Sequence, residues 1–478
     1  MMVAALFAAL PEARAAEHVV KLPGEMIGAI ELAAASGPGQ LGVFTADDRK
    51  PTRRRLLNLY VKSGGELKPS GTHQLWDDAA GFDRCRLAAG EGDTLLYIRP
   101  TGIFKHGSAT PVVSHPTFFR HARDDGIMRV RLCFDLFAGE APAILVPVLD
   151  GVAVFRHDAA AKSYKLDTTL QAPARQSPSG QLLRADDTES MQRVVVRIEF
   201  PDVVPTDFNG DGLKDICMNR DLIVRCAMQV KGGGFKDAPI YDTKLDVLSP
   251  AEEKDSSLNV SSRLVEFSGD GRVDLVVQKS SFDISSMNTQ LQFFVQQNGA
   301  FANKPSQVLA RKGYFAFQEY IDLDGDGLKD LVAPTAALGW TELAGIFFSR
   351  SADVEFVWYK NTGGKFAEAA KPLHSLSFPV EFKNVRAITA VLPLWNPRFK
   401  PGPAAKDGER RVLFTPGMNE LQLVRFRPDT EAEVVWQSPA KVGTDMLDVD
   451  LDGDGNGELI YASPRDPARA KELRYFTL

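Results

Sequence analysis

Four short acidic segments of one pattern recur along the chain, and each runs directly into an apolar strand signal. They are residues 207–215 (DFNGDGLKD), 266–274 (EFSGDGRVD), 322–330 (DLDGDGLKD) and 450–458 (DLDGDGNGE). Their starts lie 59, 56 and 128 residues apart; 128 is twice 64, so one repeat without the loop is expected between the third and fourth. The strands that follow begin Ile216-Cys-Met, Leu275-Val-Val, Leu331-Val-Ala and Leu459-Ile-Tyr. The same signal without an acidic loop occurs at Thr94-Leu-Leu-Tyr, Ile144-Leu-Val-Pro and Val412-Leu-Phe-Thr, which brings the expected total to seven repeats. Such a period argues against a single large core, because each unit leaves apolar faces wet and must stack on its neighbours.

A second landmark follows several of these strands. Residues 224–230 precede Gly232-Gly-Gly-Phe235, residues 293–297 precede Asn298-Gly-Ala-Phe301, and residues 356–360 precede Gly363-Gly-Lys-Phe366. Short β-rich runs joined by turn residues read as antiparallel hairpins rather than helices. Roughly four short strands per repeat match a propeller blade better than a solenoid coil. The expected fold is therefore all-β: a β-propeller of seven blades, with six or eight as the alternatives, spanning residues 40–465, with an N-terminal extension at 16–39 and a C-terminal tail at 466–478. The chain ends on a loop-plus-strand half (450–461) and begins on a hairpin half (56–62, then Gly64-Gly-Glu-Leu67). Pairing these N- and C-terminal segments in one composite blade would close the ring and hide both exposed ends.

The loops carry the chemistry. In each, oxygens at positions 1, 3, 5 and 9 can converge on one point, position 7 offers its carbonyl, and Gly at positions 4 and 6 permits the turn. The strongest set is Asp322, Asp324, Asp326 and Asp330 with the carbonyl of Leu328. Next come Asp450, Asp452, Asp454 and Glu458 with Asn456, then Asp207, Asn209, Asp211 and Asp215 with Leu213. Glu266, Ser268, Asp270 and Asp274 with Arg272 depart most from the pattern. Several hard oxygens on a flexible loop suit Ca²⁺, which takes about 6–8 of them, better than Mg²⁺ or zinc. Carboxylates about 4 Å apart repel by roughly 4 kcal/mol per pair at an effective dielectric of about 20, so a cation would order such a loop. About three to four Ca²⁺ sites are expected; the alternative is a polar Asx/Gly turn without metal.

These loops, running into short apolar strands, resemble FG-GAP/VCBS repeats, as in the integrin α-subunit propeller and many secreted bacterial proteins. The resemblance covers residues 40–465, though the loop is recognisable in only four of the seven expected blades. It implies a propeller with Ca²⁺ held in the loops of one face and ligands met on the other. Residues 322–330 match the family loop at every ligand position, whereas Glu266, Ser268 and Glu458 depart from it.

Other features bound the function. The apolar run at 3–10, the breaker Pro11 and Ala13-Arg14-Ala15 read as a signal peptide over residues 1–15, and hence as a periplasmic, secreted or cell-surface protein. Cys217 and Cys226 could face each other across a hairpin, and Cys85 and Cys133 could pair if adjacent repeats meet; four buried thiols are the alternative. With 56 Lys+Arg against 62 Asp+Glu there is no basic excess for nucleic acid, and no apolar run is long enough for a membrane span. The seven histidines form no metal-ligand spacing, and neither GxSxG nor a Walker element occurs. Insertions at 280–290 and 336–351 follow the strands that leave the loops, so they emerge on the opposite face. The second reads as a short amphipathic helix presenting Trp340, Phe347 and Phe348, either to a partner or as a lid over the blade. The expected function is an exported Ca²⁺-binding propeller that engages a protein or glycan as a binding module, with enzyme activity left open. The alternatives are a polysaccharide lyase or glycosidase on the same scaffold, or a structural subunit of an envelope complex.

Overall fold

A computed structural model describes residues 17–32, 39–47, 54–88, 91–119, 127–149, 151–172, 175–181, 193–236, 238–281, 287–315, 318–336, 340–368, 372–379, 398–404, 410–415, 422–426, 433–437, 445–452, 458–462 and 468–477. The expected signal peptide at 1–15, the ligands Asp454 and Asn456, and His121 lie outside these residues.

The chain is all-β and built of propeller blades: four-position antiparallel meanders in which the strands after the acidic loops take the second place; one blade carries the extra strand Met128–Arg129 parallel to Gly81–Cys85. The described residues form eight blades rather than the expected seven. Seven of the second strands are those signalled in the sequence: Thr94–Arg99, Ala143–Val148, Asp215–Arg220, Asp274–Ser281, Asp330–Ala336, Arg410–Thr415 and Glu458–Ala462. The eighth is Gln40–Ala46, buried from Leu41 onward, in a blade completed by Glu25–Leu32, Arg55–Ser63 and Glu66–Gln74. Without an acidic loop before it, and with Gly42 inside its apolar run, that strand carries a weaker signal than its siblings.

The described chain divides into two units, residues 1–75 with 442–478 and residues 76–441. The first unit contains the composite blade, made by Asp445–Val449, Glu458–Ala462 and Glu472–Thr477 from the C-terminal side and His18–Lys21 from the N-terminal side. Pairing of N- and C-terminal segments is therefore present, with His18 opposite Tyr475 and Lys21 opposite Glu472. The N-terminal contributor differs from the expected one: residues 56–62 lie in Arg55–Ser63 of their own blade. The expected extension (16–39) and tail (466–478) thus supply blade strands, and the sheets run past the 40–465 limits on both sides. Leu41, Tyr60 and Leu67 of one blade pack against Leu451, Ile460 and Tyr475 of the other.

The second unit holds six blades and the hairpin Arg175–Gln181/Arg193–Glu199. Here the hairpin aromatics show why neighbouring blades stack. Phe235, Phe301 and Phe366 are buried, and each reaches back to an aromatic of the preceding blade: Phe137 at 6.0 Å, Phe208 at 5.6 Å and Phe267 at 5.6 Å between ring centroids. Full burial of such a side chain is worth about 1.5–3 kcal/mol, so each contact is a substantial part of a blade's attachment. Both cysteine pairs form. Cys217 and Cys226 sit opposite one another in adjacent strands, and Cys85–Cys133 links one blade to the next across 48 residues. Closing a loop of that length stabilises by about 4 kcal/mol in the chain-entropy model.

Candidate metal centres

Residues 322–330 leave the end of Glu319–Ile321 and return as Asp330–Ala336. Gly325 and Gly327 have φ of 81° and 88°, the left-handed region that a side chain resists, and so wind the loop inward. Oxygens of Asp322, Asp324 and Asp326 thereby converge within 4.8 Å of one another. Backbone amides hold the ligand side chains in place: Gly325 and Gly327 donate to Asp322 (2.6 and 3.1 Å), and Leu328 donates to Asp326 (2.9 Å). The three carboxylates fit a hard divalent cation by donor type and convergence. Lys360 reaches in from its own blade to bond Asp324 and lies 3.6 Å from Asp326, but its side chain is 43% exposed. The Asp324 carboxylate holds the Lys360 ammonium above the ordinary lysine pKa.

The ninth-position residue behaves differently from the first, third and fifth. Asp215, Asp274, Asp330 and Glu458 are all fully buried. One oxygen of each aspartate ties down the loop start, through the amides of Phe208 (2.8 Å), Phe267 (3.0 Å) and Leu323 (3.2 Å). The other oxygen accepts from a backbone amide at the far end of the blade's third strand: Gln229 (2.7 Å), Gln296 (3.0 Å) and Asn361 (2.8 Å). Burial pushes all three carboxyls up, Asp330 to about 6 with the nearby Asp324 charge adding to the effect. The expected ligand Asp330 is thus engaged as an internal clamp at the base of the loop.

The residues that pin these carboxylates form a set that the sequence reading missed. The side-chain amides of Gln229, Gln296 and Asn361 also donate to a carbonyl of the preceding blade: Leu136 (3.1 Å), Phe208 (2.6 Å) and Phe267 (2.6 Å). Each therefore latches one blade to the next while bracing its own acidic loop. The available signal is a carboxamide five or six residues before the hairpin aromatic, at Gln229, Gln296 and Asn361.

The remaining loops satisfy themselves in other ways. In 207–215, both oxygens of Asp207 accept amides of Gly210, Asp211 and Gly212, and the Asn209 side chain donates to Asp211 (3.0 Å). Arg272, expected to offer a carbonyl to its own loop, projects its guanidinium over Gly210 of this one, where an added Cβ would lie 2.8 Å from it. In 266–274, Glu266 accepts from Gly269 (2.7 Å) and lies 3.9 Å from Lys329, while Asp270 accepts from Arg272 (2.9 Å). Neither loop brings three carboxylates together among the described residues. In 450–458, Asp450, Asp452 and Glu458 converge, and Lys62 of the 25–74 blade bonds both Asp452 and Glu458. Burial works against charge on Lys62, but the two carboxylates outweigh it and raise its pKa.

A cavity of about 600 Å³ in the second unit is lined by Phe119, Met128, Val130, Phe200 and Leu264, with Arg131 and Arg263. Among the described residues that line it, Asp202 is the one carboxylate. Helix Trp340–Ser349 forms where expected. Phe347 and Phe348 are 52% and 83% exposed rather than folded down as a lid, and Ile346 packs against the neighbouring core. His106 pairs with the Tyr97 hydroxyl at 3.3 Å and His115 with the Pro116 carbonyl at 2.9 Å. Among the described residues no helix is long and apolar enough to cross a membrane.

No known family model matches the chain, and no curated protein does. Solved structures similar to it include BBS1N in complex with ARL6DN, at 9% identity over 96% of this chain and 94% of that one with a TM-score of 0.37. The Dos1 propeller is similar at 11% identity over 96% and 94%, also with a TM-score of 0.37. Bacillus licheniformis rhamnogalacturonan lyase PL11 is similar at 15% identity over 73% of this chain and 65% of that one, with a TM-score of 0.27. The family is thus not named by any match, and the fold class is carried by the chain's own eight meanders.

Proposed function

We propose that the chain is an exported β-propeller of the FG-GAP/VCBS kind, stiffened by Ca²⁺ and serving as a binding module for a protein or glycan. The observation that carries the metal is the convergence of Asp322, Asp324 and Asp326 on a glycine-wound loop. Two disulfides support export, because such bonds persist in oxidising compartments. The exposed Phe347–Phe348 pair supports a binding role, since aromatics on a projecting element are common anchors.

The test is calorimetric melting of the full chain with Ca²⁺ and with chelator, beside Asp326→Ala. Chelation is expected to lower Tm in the wild type, and the substitution to remove part of that difference. Superimposable curves with and without chelator would reject structural Ca²⁺.

A further inference from the structure

Residues 200–204 read Phe-Pro-Asp-Val-Val, a largely apolar run that opens a blade instead of filling its second strand. With Phe134 and Leu264 it puts apolar surface on or beside the first strands of three successive blades, Cys133–Phe134, Asp202–Thr206 and Leu258–Val265. These strands help to wall the cavity of about 600 Å³ described above. Small-molecule sites typically enclose about 300–1,000 Å³. Apolar atoms that face open space lack packing partners, which an apolar body would supply.

Three polar side chains interrupt that wall in a way that selects a ligand. Asn219 is 5% exposed, and its side-chain nitrogen donates to the carbonyl and hydroxyl oxygens of Ser262 (2.8 and 3.1 Å). The Ser262 hydroxyl in turn donates to the Asp221 carbonyl, so the Asn219 amide can point only one way. Its Oδ1 is thereby left buried without a donor among the described residues, a cost that a ligand N–H or O–H would remove. Arg131 and Arg263 line the same cavity and are exposed, so they stand where it meets solvent. The Arg131 guanidinium lies 4.5 Å from the centre of the Phe134 ring, and Arg263 donates to the Gln318 carbonyl (2.9 Å). Neither forms an ion pair with a carboxylate among the described residues. Two guanidiniums against the single Asp202 give the lining a positive balance, which favours an anion.

We propose that this cavity binds a small amphipathic carboxylate. Its apolar chain or ring lies against Phe134 and Leu264, an N–H or O–H on that body meets Asn219 Oδ1, and its carboxylate stays at the rim with Arg131 and Arg263. The site uses no residue of the acidic loops and stands whether or not residues 322–330 bind Ca²⁺.

Isothermal titration of the full chain with N-decanoylglycine, kept below its micelle-forming concentration, tests the proposal beside two analogues that each lack one group. The methyl ester removes the charge, and N-decanoylsarcosine replaces the amide hydrogen with a methyl. One N-decanoylglycine per chain is expected, with the ester weaker by about tenfold or more and the sarcosine by about threefold or more. Arg131→Gln/Arg263→Gln changes two exposed positions, and is expected to melt like the wild type and to bind acid and ester alike. No binding of the acid, equal affinity for all three probes, or a folded arginine variant that still prefers the acid would overturn the proposal. If that variant does not fold, the three probes on the wild-type chain decide the matter alone.

Discussion

A carboxylate with no exposure to water closes each of the four acidic loops. Leaving such a group unsatisfied would cost several kcal/mol, so its oxygens must be matched by donors. Asp330 meets this requirement with the amides of Leu323 and Asn361, and Asn361 then spends its side chain on the carbonyls of Phe267 and Lys329. Replacing Asn361 with the similarly sized leucine keeps the clamp on Asp330 but strands both carbonyls. A buried acceptor left bare costs about 1–3 kcal/mol, so Asn361→Leu should lower the free energy of unfolding in urea by about that much. The loss should be the same with Ca²⁺ and with chelator, because the amide faces the neighbouring blade rather than the converging oxygens. The ligand-bearing positions could be read from the sequence because they are local, one loop at a time. The latch could not, because Gln229, Gln296 and Asn361 acquire meaning only from a carbonyl at least 88 residues away in the preceding blade.

Strands and helix were legible to different degrees for physical reasons. Ile216, Leu275, Leu331 and Leu459 announce their strands because an apolar β run separated by three residues from a Gly-Asp-Gly turn has one plausible place, the buried second strand. Gln40–Ala46 is as deeply buried but has no such preface, and so one blade was lost from the expected number. Helix Trp340–Ser349 was visible in its spacing, but whether its aromatics face inward or outward depends on neighbours that a sequence does not show. Exposed phenylalanines forfeit burial and contribute little to stability, so a partner is what would give Phe347 and Phe348 a use. The double variant Phe347→Ser/Phe348→Ser should melt within a degree or two of wild type yet lose capture, from a cell extract, of the protein or glycan partner proposed above. Undiminished capture would move the binding surface elsewhere.

On the scale of the whole chain, the composite blade joins residues more than 450 positions apart: His18–Lys21 completes a sheet whose other three strands come from the last 34 residues. Pairing of terminal segments was foreseeable, since two half-repeats in the sequence invite it. Which N-terminal strand would serve was not, because His18–Lys21 alternates half-buried and exposed residues and has only four of them. Removing residues 1–21 should bare the edge of Glu472–Thr477, a template for pairing with another chain. A lower Tm and concentration-dependent association by light scattering are expected, and a monomer of unchanged stability would show that the short strand is dispensable. There is a consequence for the order of events during synthesis. His18–Lys21 finds its partner only after Glu472–Thr477 has been made, so contacts of this sequence separation put its docking among the slow steps of folding. Until that partner emerges, the ladder of His18–Lys21 stays open to other chains, and whatever attends the nascent polypeptide must shield it for that long.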